Sequence, residues 1–187
     1  MAIAMTLLTL VTLPFLAALA IAFTHGAARA VHSAIAGGAS AACLALIASL
    51  AAPALGNGPV PTASWQWVPA LGLDLTLMVD PLGWMFALLI LGIGLLVIIF
   101  AHFYLYPTED TGRFFASLML FQGAMLGIVI AGNVLLLLVF WELTSFTSYL
   151  LIGYKHTYED SRASALQALL VTGGGGLAFL AGVFVLG

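Results

Sequence analysis

NVLLLLVFWELTSFTSYLLIGY, residues 133–154, is the stretch that decides the fold of this chain. It is long enough to cross a bilayer as one helix, because about 20 apolar residues at ~1.5 Å rise each span the hydrocarbon core. Glu142 stands near its middle, where a carboxylate is costly unless it faces a partner, a cavity or a proton path. Ser145 and Tyr149 follow at i+3 and i+7, on the same helical face. The stretch therefore predicts a membrane helix whose Glu142 points into protein, with hydroxyl groups leading toward the helix's C-terminal end.

Glu142 has two interpretations. A structural acid would be hydrogen-bonded to a neighbouring helix and would keep one charge state throughout. A proton carrier would load and release a proton, because burial and neighbouring charges tune the pKa of an acid at this depth. We favour the proton carrier, since an ionisable side chain within a membrane helix is a candidate functional site.

The composition places the chain in the membrane. Hydrophobic residues make up 64% of it and charged residues 6%, against about 25% charged residues in an ordinary soluble domain. Four Lys and Arg residues form no basic patch, which excludes nucleic-acid binding. A single cysteine, Cys43, excludes an internal disulfide framework and a cysteine metal cluster. We predict no cofactor and no metal site.

Six apolar segments have the length that a bilayer demands, so the fold class is an all-α integral membrane protein. They cover residues 2–23, 33–52, 81–103, 114–131, 134–153 and 163–187. The connection between the second and third segments, residues 53–79, is rich in Pro, Gly and Trp, which argues against a helix there. Alternating leucines predict a short strand or hairpin over residues 71–79. Asp80 and Pro81 then predict the N-cap and first residue of the third helix.

The four basic residues predict the orientation. Arg29 follows the first span, Arg113 lies between the third and fourth, and Lys155 and Arg162 lie between the fifth and sixth. All of these connections fall on the same side of a six-helix protein. The positive-inside rule makes that side cytoplasmic, so the N-terminus is predicted to lie outside.

The loop after the fifth span contains Lys155 and His156, just beyond the Ser and Tyr face of that helix. One interpretation is a solvated charged loop. The other is the cytoplasmic mouth through which protons reach Glu142. The sequence does not choose between them.

The sixth span contains four consecutive glycines, Gly173 to Gly176. Each glycine costs about 1 kcal/mol in a helix interior relative to alanine, so the run predicts either close helix contact or a flexible element. The chain then ends inside an apolar run. We expect residues 1–187 to be one membrane domain and the N-terminal part of a longer subunit.

Three regions resemble a known family. They are DPLG at residues 80–83, FWELTS at 140–145, and LIGY at 151–154 followed by ALLVT at 168–172 and GGLA at 175–178. These motifs are similar to those of the antiporter-like subunits shared by respiratory complex I and Mrp-type cation/proton antiporters. The Trp-Glu pair with its following hydroxyls is the most specific of them.

Within that family the chain looks most like the large A-type subunit of Mrp antiporters. The complex I relatives carry a polar Asn-Arg-Val-Gly-Asp-like stretch where this chain has TGGGG at residues 172–176. The resemblance implies that Glu142 takes part in proton transfer and pairs with a lysine on a following helix, beyond residue 187. It also implies a multisubunit Na⁺(K⁺)/H⁺ antiporter, a secondary transporter and not an enzyme, with other Mrp-type subunits as partners in the plasma membrane of a bacterium. The alternatives are a proton-pumping membrane subunit of a redox complex and a purely structural membrane subunit.

Overall fold

The computed structural model describes residues 2–24, 26–56, 58–68, 73–105, 109–155 and 157–186. The elements in chain order are α1 (Ala2–Phe23), α2 (Arg29–Ser49), α3 (Ala51–Leu55), β1 (Thr62–Val68), β2 (Leu73–Met78), α4 (Pro81–Tyr104), α5 (Thr111–Val129), α6 (Val134–Ile152) and α7 (Glu159–Leu186). Within these described ranges, six helices are long and apolar enough to cross a membrane. The predicted all-α membrane fold is confirmed.

Three of the six long helices begin earlier than predicted, and one of them, α5, does so by three residues, at Thr111. Helix α2 starts at Arg29 and α7 starts at Glu159, each four residues before the expected position. The hydropathy criterion ignores polar first turns, although a helix continues through them. Glu159 and Asp160 suit the first turn of α7, because acidic side chains stabilise the positive end of the helix dipole.

The connection between α2 and α4 contains a helix that was not expected. Residues 51–55 form the short helix α3, so the prediction that proline excludes a helix there is wrong at Pro53. Pro53 lies at the third helical position. The backbone N–H groups of the first turn have no partner within a helix, so a proline there removes no hydrogen bond.

Strands β1 and β2 form an antiparallel hairpin. The strand predicted over residues 71–79 is confirmed at Leu73–Met78, while residues 71 and 72 lie outside the described ranges. Its partner, Thr62–Val68, was not predicted. A signal for it was present, because the apolar Ala63 is buried between the exposed, polar Thr62 and Ser64, which is the period of two that strands follow.

The hairpin is held against the turn between α5 and α6. The N–H of Gly132 donates to the Thr76 carbonyl at 2.7 Å, and the N–H of Met78 donates to the Ile130 carbonyl at 2.8 Å. Asn133 donates through Nδ2 to the Asp74 carbonyl at 2.7 Å and caps α6 by accepting from Leu136 N–H at 2.7 Å. A Cβ at Gly132 would stand 2.7 Å from the Thr76 methyl group, so only glycine allows this approach.

Helix α5 is the centre of the packing. It contacts α1, α2, α4 and α6, whereas α7 packs against α6 at the edge of the bundle and is mostly exposed. One apolar cluster at the hairpin end includes Leu10, Ile47 and Leu126, and a second at the other end includes Ile21 and Phe115. The predicted cap at the start of α4 is also confirmed, because an Asp80 carboxylate oxygen accepts from Gly83 N–H at 2.6 Å.

The contact between α5 and α6 predicts a stability effect. A Cβ at Gly127 would overlap the buried ring of Phe140, whereas a Cβ at Gly92 would meet no atom within 4 Å. We expect Gly127→Ala to destabilise the protein by about 1–3 kcal/mol, because the ring must leave a packed position. Gly92→Ala is the matched control and should be neutral or stabilising. Thermal unfolding in detergent measures both, and equal stability of the two variants would contradict this packing.

Candidate functional site

Glu142 lies close to the midpoint of α6. It is the ninth residue of a 19-residue helix that ends at Ile152. Gly153, the C-cap, is eleven residues further along, which corresponds to about 16 Å of helix. A hydrocarbon core is about 30 Å thick, so this carboxylate lies near the middle of the membrane.

The carboxylate of Glu142 lies against the backbone of Gly176 on α7. A Cβ at Gly176 would overlap Oε1 of Glu142 and would stand 2.9 Å from its Cδ. The glutamate therefore points toward a neighbouring helix, as expected, but its side chain is exposed in this chain and not enclosed by it. Among the described residues, no hydrogen bond or ion pair reaches it.

The contact between Glu142 and Gly176 follows from the way α6 and α7 are aligned along each other. Near the connecting loop, a Cβ at Gly153 would stand 3.3 Å from the Cβ of Ala165. Glu142 and Gly176 each lie eleven residues further from the loop. Eleven residues make about three helical turns, so both contacts fall on the same face of each helix. Trp141 and Phe179 stack beside them, with ring centroids 6.4 Å apart.

The hydroxyl groups predicted to continue from Glu142 bond within their own helix. Ser145 is buried and donates to the Trp141 carbonyl at 3.2 Å, and Thr147 donates to the Leu143 carbonyl at 2.9 Å. Tyr149 is half-buried. No direct hydrogen bond within the described part of the chain joins Glu142 to Ser145 or Tyr149.

Lys155 is paired with Glu109 from the loop between α4 and α5. Its Nζ lies 3.0 Å from Oε1 of Glu109, and the hydrogen bond and charge of that carboxylate raise the pKa of Lys155 above its ordinary value of 10.5. Burial, with help from Glu109 and Asp110, raises the pKa of Tyr154 to about 12. These residues line a cavity of about 320 Å³ at this end of the bundle. His156, predicted to act with Lys155, lies outside the described residues.

Two buried polar groups lie elsewhere between the helices. His32 is 3% exposed, and its ring nitrogens contact the Thr111 hydroxyl at 3.0 Å and the Thr24 carbonyl at 3.1 Å. Gln122, also 3% exposed, accepts a hydrogen bond from the Ser40 hydroxyl at 3.0 Å. The sequence, in which Gln122 is the one strongly polar group of its span, predicts an interhelical hydrogen bond for it, and this is confirmed with Gln122 as the acceptor. The burial of His32 was not predicted, since partners on distant segments decide it. Within the described ranges, no three His, Cys, Asp or Glu side chains gather as metal ligands.

The fold and this carboxylate define a class: a multi-pass membrane protein with an ionisable group at mid-membrane depth. Two family models match it. Residues 65–115 match the N-terminus of chain 5 of NADH-ubiquinone oxidoreductase (complex I), and residues 131–186 match the membrane domain of the NADH:quinone oxidoreductase/Mrp antiporter family. Together they cover more than half of the chain. The chain belongs to the family of antiporter-like membrane subunits that complex I and Mrp antiporters share.

Individual relatives agree with this assignment. A probable K⁺/H⁺ antiporter A/B subunit of Rhizobium meliloti is 41% identical over 95% of this chain. An Na⁺/H⁺ antiporter A1 subunit of Staphylococcus aureus is 45% identical over 65% of it. This chain spans only 18% and 15% of the length of these two relatives.

Solved structures show the same fold. A chain of the Mrp complex from Dietzia sp. DQ12-45-1b matches 97% of this chain with a TM-score of 0.76 and 30% identity, and 19% of that chain is covered. An archaeal membrane-bound sulfane sulfur reductase matches 96% of it with a TM-score of 0.81. Identity to the reductase is 20%, with 27% of that chain covered, so this likeness concerns the fold alone.

The Lys155–Glu109 pair predicts a measurable titration. Glu109→Gln should bring the pKa of Lys155 back toward 10.5, because the charged acceptor is lost. Since the pKa is raised in the folded protein, any stabilisation from the pair is complete below 10.5 and is lost as the pH rises through the raised value. Amine labelling of Lys155 against pH, read by mass spectrometry, measures the shift. Glu159→Gln is the control and should leave the labelling curve of Lys155 unchanged. Identical curves for the wild-type protein and both variants would contradict the pairing of Lys155 with Glu109.

Proposed function

We propose that the chain forms part of a proton-translocating subunit of a multisubunit monovalent cation/proton antiporter. Glu142 is the group that carries the proton, and the cation exchanged is Na⁺ or K⁺. The observation that carries this proposal is the carboxylate of Glu142 at mid-membrane depth, next to α7 and without a bonding partner among the described residues. The antiporter subunits that match the chain support it.

The chemistry of Glu142 follows from its surroundings. A carboxylate at this depth is costly when it is charged and unpaired, so its charge state responds to any cation brought near it. The family resemblance supplies such a cation as a lysine on a following helix. While the lysine is close, the carboxylate stays ionised. When the lysine moves away, the carboxylate takes up a proton, and this alternation couples proton transfer to the movement of a charge elsewhere in the complex.

The route to Glu142 starts at the end of the bundle that holds the basic residues, which we assign to the cytoplasm of a bacterium. Lys155 and His156 form the mouth. Tyr149 and Ser145 continue the route along α6 toward Glu142. The partners are the other Mrp-type subunits of a hetero-oligomer in the plasma membrane, with the lipid bilayer around them.

The second candidate is a proton-pumping subunit of a redox complex. The family model that matches residues 65–115 is described as part of complex I, which favours this candidate. The two functions differ in what drives proton movement. An antiporter subunit moves protons when Na⁺ or K⁺ is added to energised vesicles. A redox subunit moves them only when an electron donor and a quinone or other acceptor turn over.

Glu142→Gln tests the proposed function. The amide keeps the size of the side chain but cannot take up and release a proton. We expect cation-dependent proton exchange of the assembled complex in everted vesicles to fall by at least about a hundredfold, the order of magnitude for losing a proton-transfer group. The measurement is the response of a pH-gradient dye to added NaCl or KCl.

Glu159→Gln is the matched control for that experiment. It makes the same chemical change at an exposed glutamate in the first turn of α7, and it should retain full exchange. Both variants must assemble in equal amounts, measured by co-purification of the other subunits. Full exchange in Glu142→Gln would show that this glutamate is a structural acid.

Tyr149→Phe tests the route along α6. It removes only the hydroxyl group, and we expect a loss of exchange smaller than the roughly hundredfold loss of a removed general acid, because water can replace a relay hydroxyl. Tyr158→Phe, at an exposed position in the loop, is the control and should leave exchange unchanged. The same dye response measures both, and equal rates in the two variants would remove Tyr149 from the route.

A further inference from the structure

We propose that Gly176 is a positioning residue for Glu142: its missing side chain leaves the space on α7 that the glutamate carboxylate occupies. This inference rests on the proposed function of Glu142 and extends it to a residue of the facing helix. Gly176 neither carries a proton nor binds a cation. It acts by fixing where the carboxylate lies.

A larger residue at position 176 would displace the carboxylate of Glu142 from its present place. The smallest side chain, a methyl group at Gly176, would overlap Oε1 of Glu142. The same methyl group would stand 3.2 Å from Cδ1 of Trp141, whose ring is stacked on Phe179. The indole ring thus closes one side of the space. The carboxylate would have to swing off α7 toward the open side of the helix pair, since Glu142 is exposed in this chain.

The other three glycines of the run distinguish the role of Gly176 from a general need for small residues in this part of α7. A Cβ at Gly173, Gly174 or Gly175 would meet no atom within 4 Å. Their substitution by alanine should even favour the helix, because glycine costs about 1 kcal/mol relative to alanine in a helix interior. Of the four, Gly176 alone faces an ionisable side chain across a contact too close for any Cβ.

The register explains why the contact is not adjustable. Helices α6 and α7 are joined by a short loop and touch again at Gly153 and Ala165, three turns closer to that loop. A shift of one helix to relieve a clash at Gly176 would also disturb this second contact. The strain therefore falls on the side chain of Glu142. A displacement of about 1 Å in a reacting group can cost up to about a hundredfold in rate.

The test compares alanine substitutions in the assembled antiporter complex, assayed in everted vesicles with NaCl or KCl and a pH-gradient dye. Gly176→Ala should lose roughly tenfold or more of the cation-dependent exchange. Gly173→Ala, one turn away in the same run, should retain it. The double variant Glu142→Asp with Gly176→Ala should exchange faster than Gly176→Ala alone, because aspartate draws the carboxylate back by one methylene and clears the methyl group. Glu142→Asp alone provides the reference.

Each outcome decides the proposal. Wild-type exchange in Gly176→Ala would overturn it and leave the role of Glu142 intact, provided that Glu142→Gln is inactive. A loss in Gly176→Ala that Glu142→Asp does not relieve would show that the methyl group disturbs helix packing, and would also overturn it. Should Gly176→Ala fail to assemble, assembly of the double variant would support the proposal and its failure would overturn it. Full exchange in Glu142→Gln would instead overturn the proposed function.

Discussion

The absence of water from the hydrocarbon core is the constraint on which the rest of this structure depends. A backbone N–H or C=O left unpaired there costs several kcal/mol, by order of magnitude, so the chain crosses as helices that satisfy their own backbone. The polar side chains obey the same rule. Thr144, Ser145 and Thr147 donate back to carbonyls of their own helix, and Ser40 donates to Gln122 across a helix pair. Exceptions among the described residues include Nε2 of Gln122, the hydroxyl of Tyr154 and the carboxylate of Glu142, none of which has a hydrogen-bond partner there.

The helix ends follow a different rule, because there the backbone needs partners outside the helix. Asp80 and Asn133 each cap a helix and satisfy one of its free N–H groups. Asn133 also reaches the hairpin, so one side chain both starts α6 and fixes the strands against the α5–α6 turn. At the opposite end, Lys155 bonds to Glu109 and links the loop after α6 to the loop before α5. Capping and loop contacts therefore hold α5 and α6 in register.

Local rules explain which features could be predicted from the sequence. The six spans, the cap at Asp80 and the strand at Leu73–Met78 depend on hydropathy, capping and alternation over a few residues. Helix α3 was missed because a proline was treated as a breaker without regard to its position in the first turn. The pairing of Lys155 with Glu109 and the contact of Glu142 with Gly176 depend on which helices are neighbours and in which register, and no local pattern encodes that. The run of four glycines was the only sequence feature that indicated a close helix contact, and it did not indicate which glycine makes that contact.

The nature of the neighbour bears on what Glu142 can do. A structural acid accepts hydrogen bonds from donors that stabilise its charge, such as a hydroxyl, an amide or an arginine. Asp80, which accepts from the N–H of Gly83, is an example. The carboxylate of Glu142 contacts the backbone of Gly176 in the interior of α7. The backbone N–H groups there already donate to carbonyls of the same helix. Such a surface accommodates the volume of the carboxylate but offers no strong donor to its charge. The carboxylate is therefore placed by packing against α7, and not by a hydrogen-bond donor or a cation among the described residues, which is compatible with the proton transfer proposed for it.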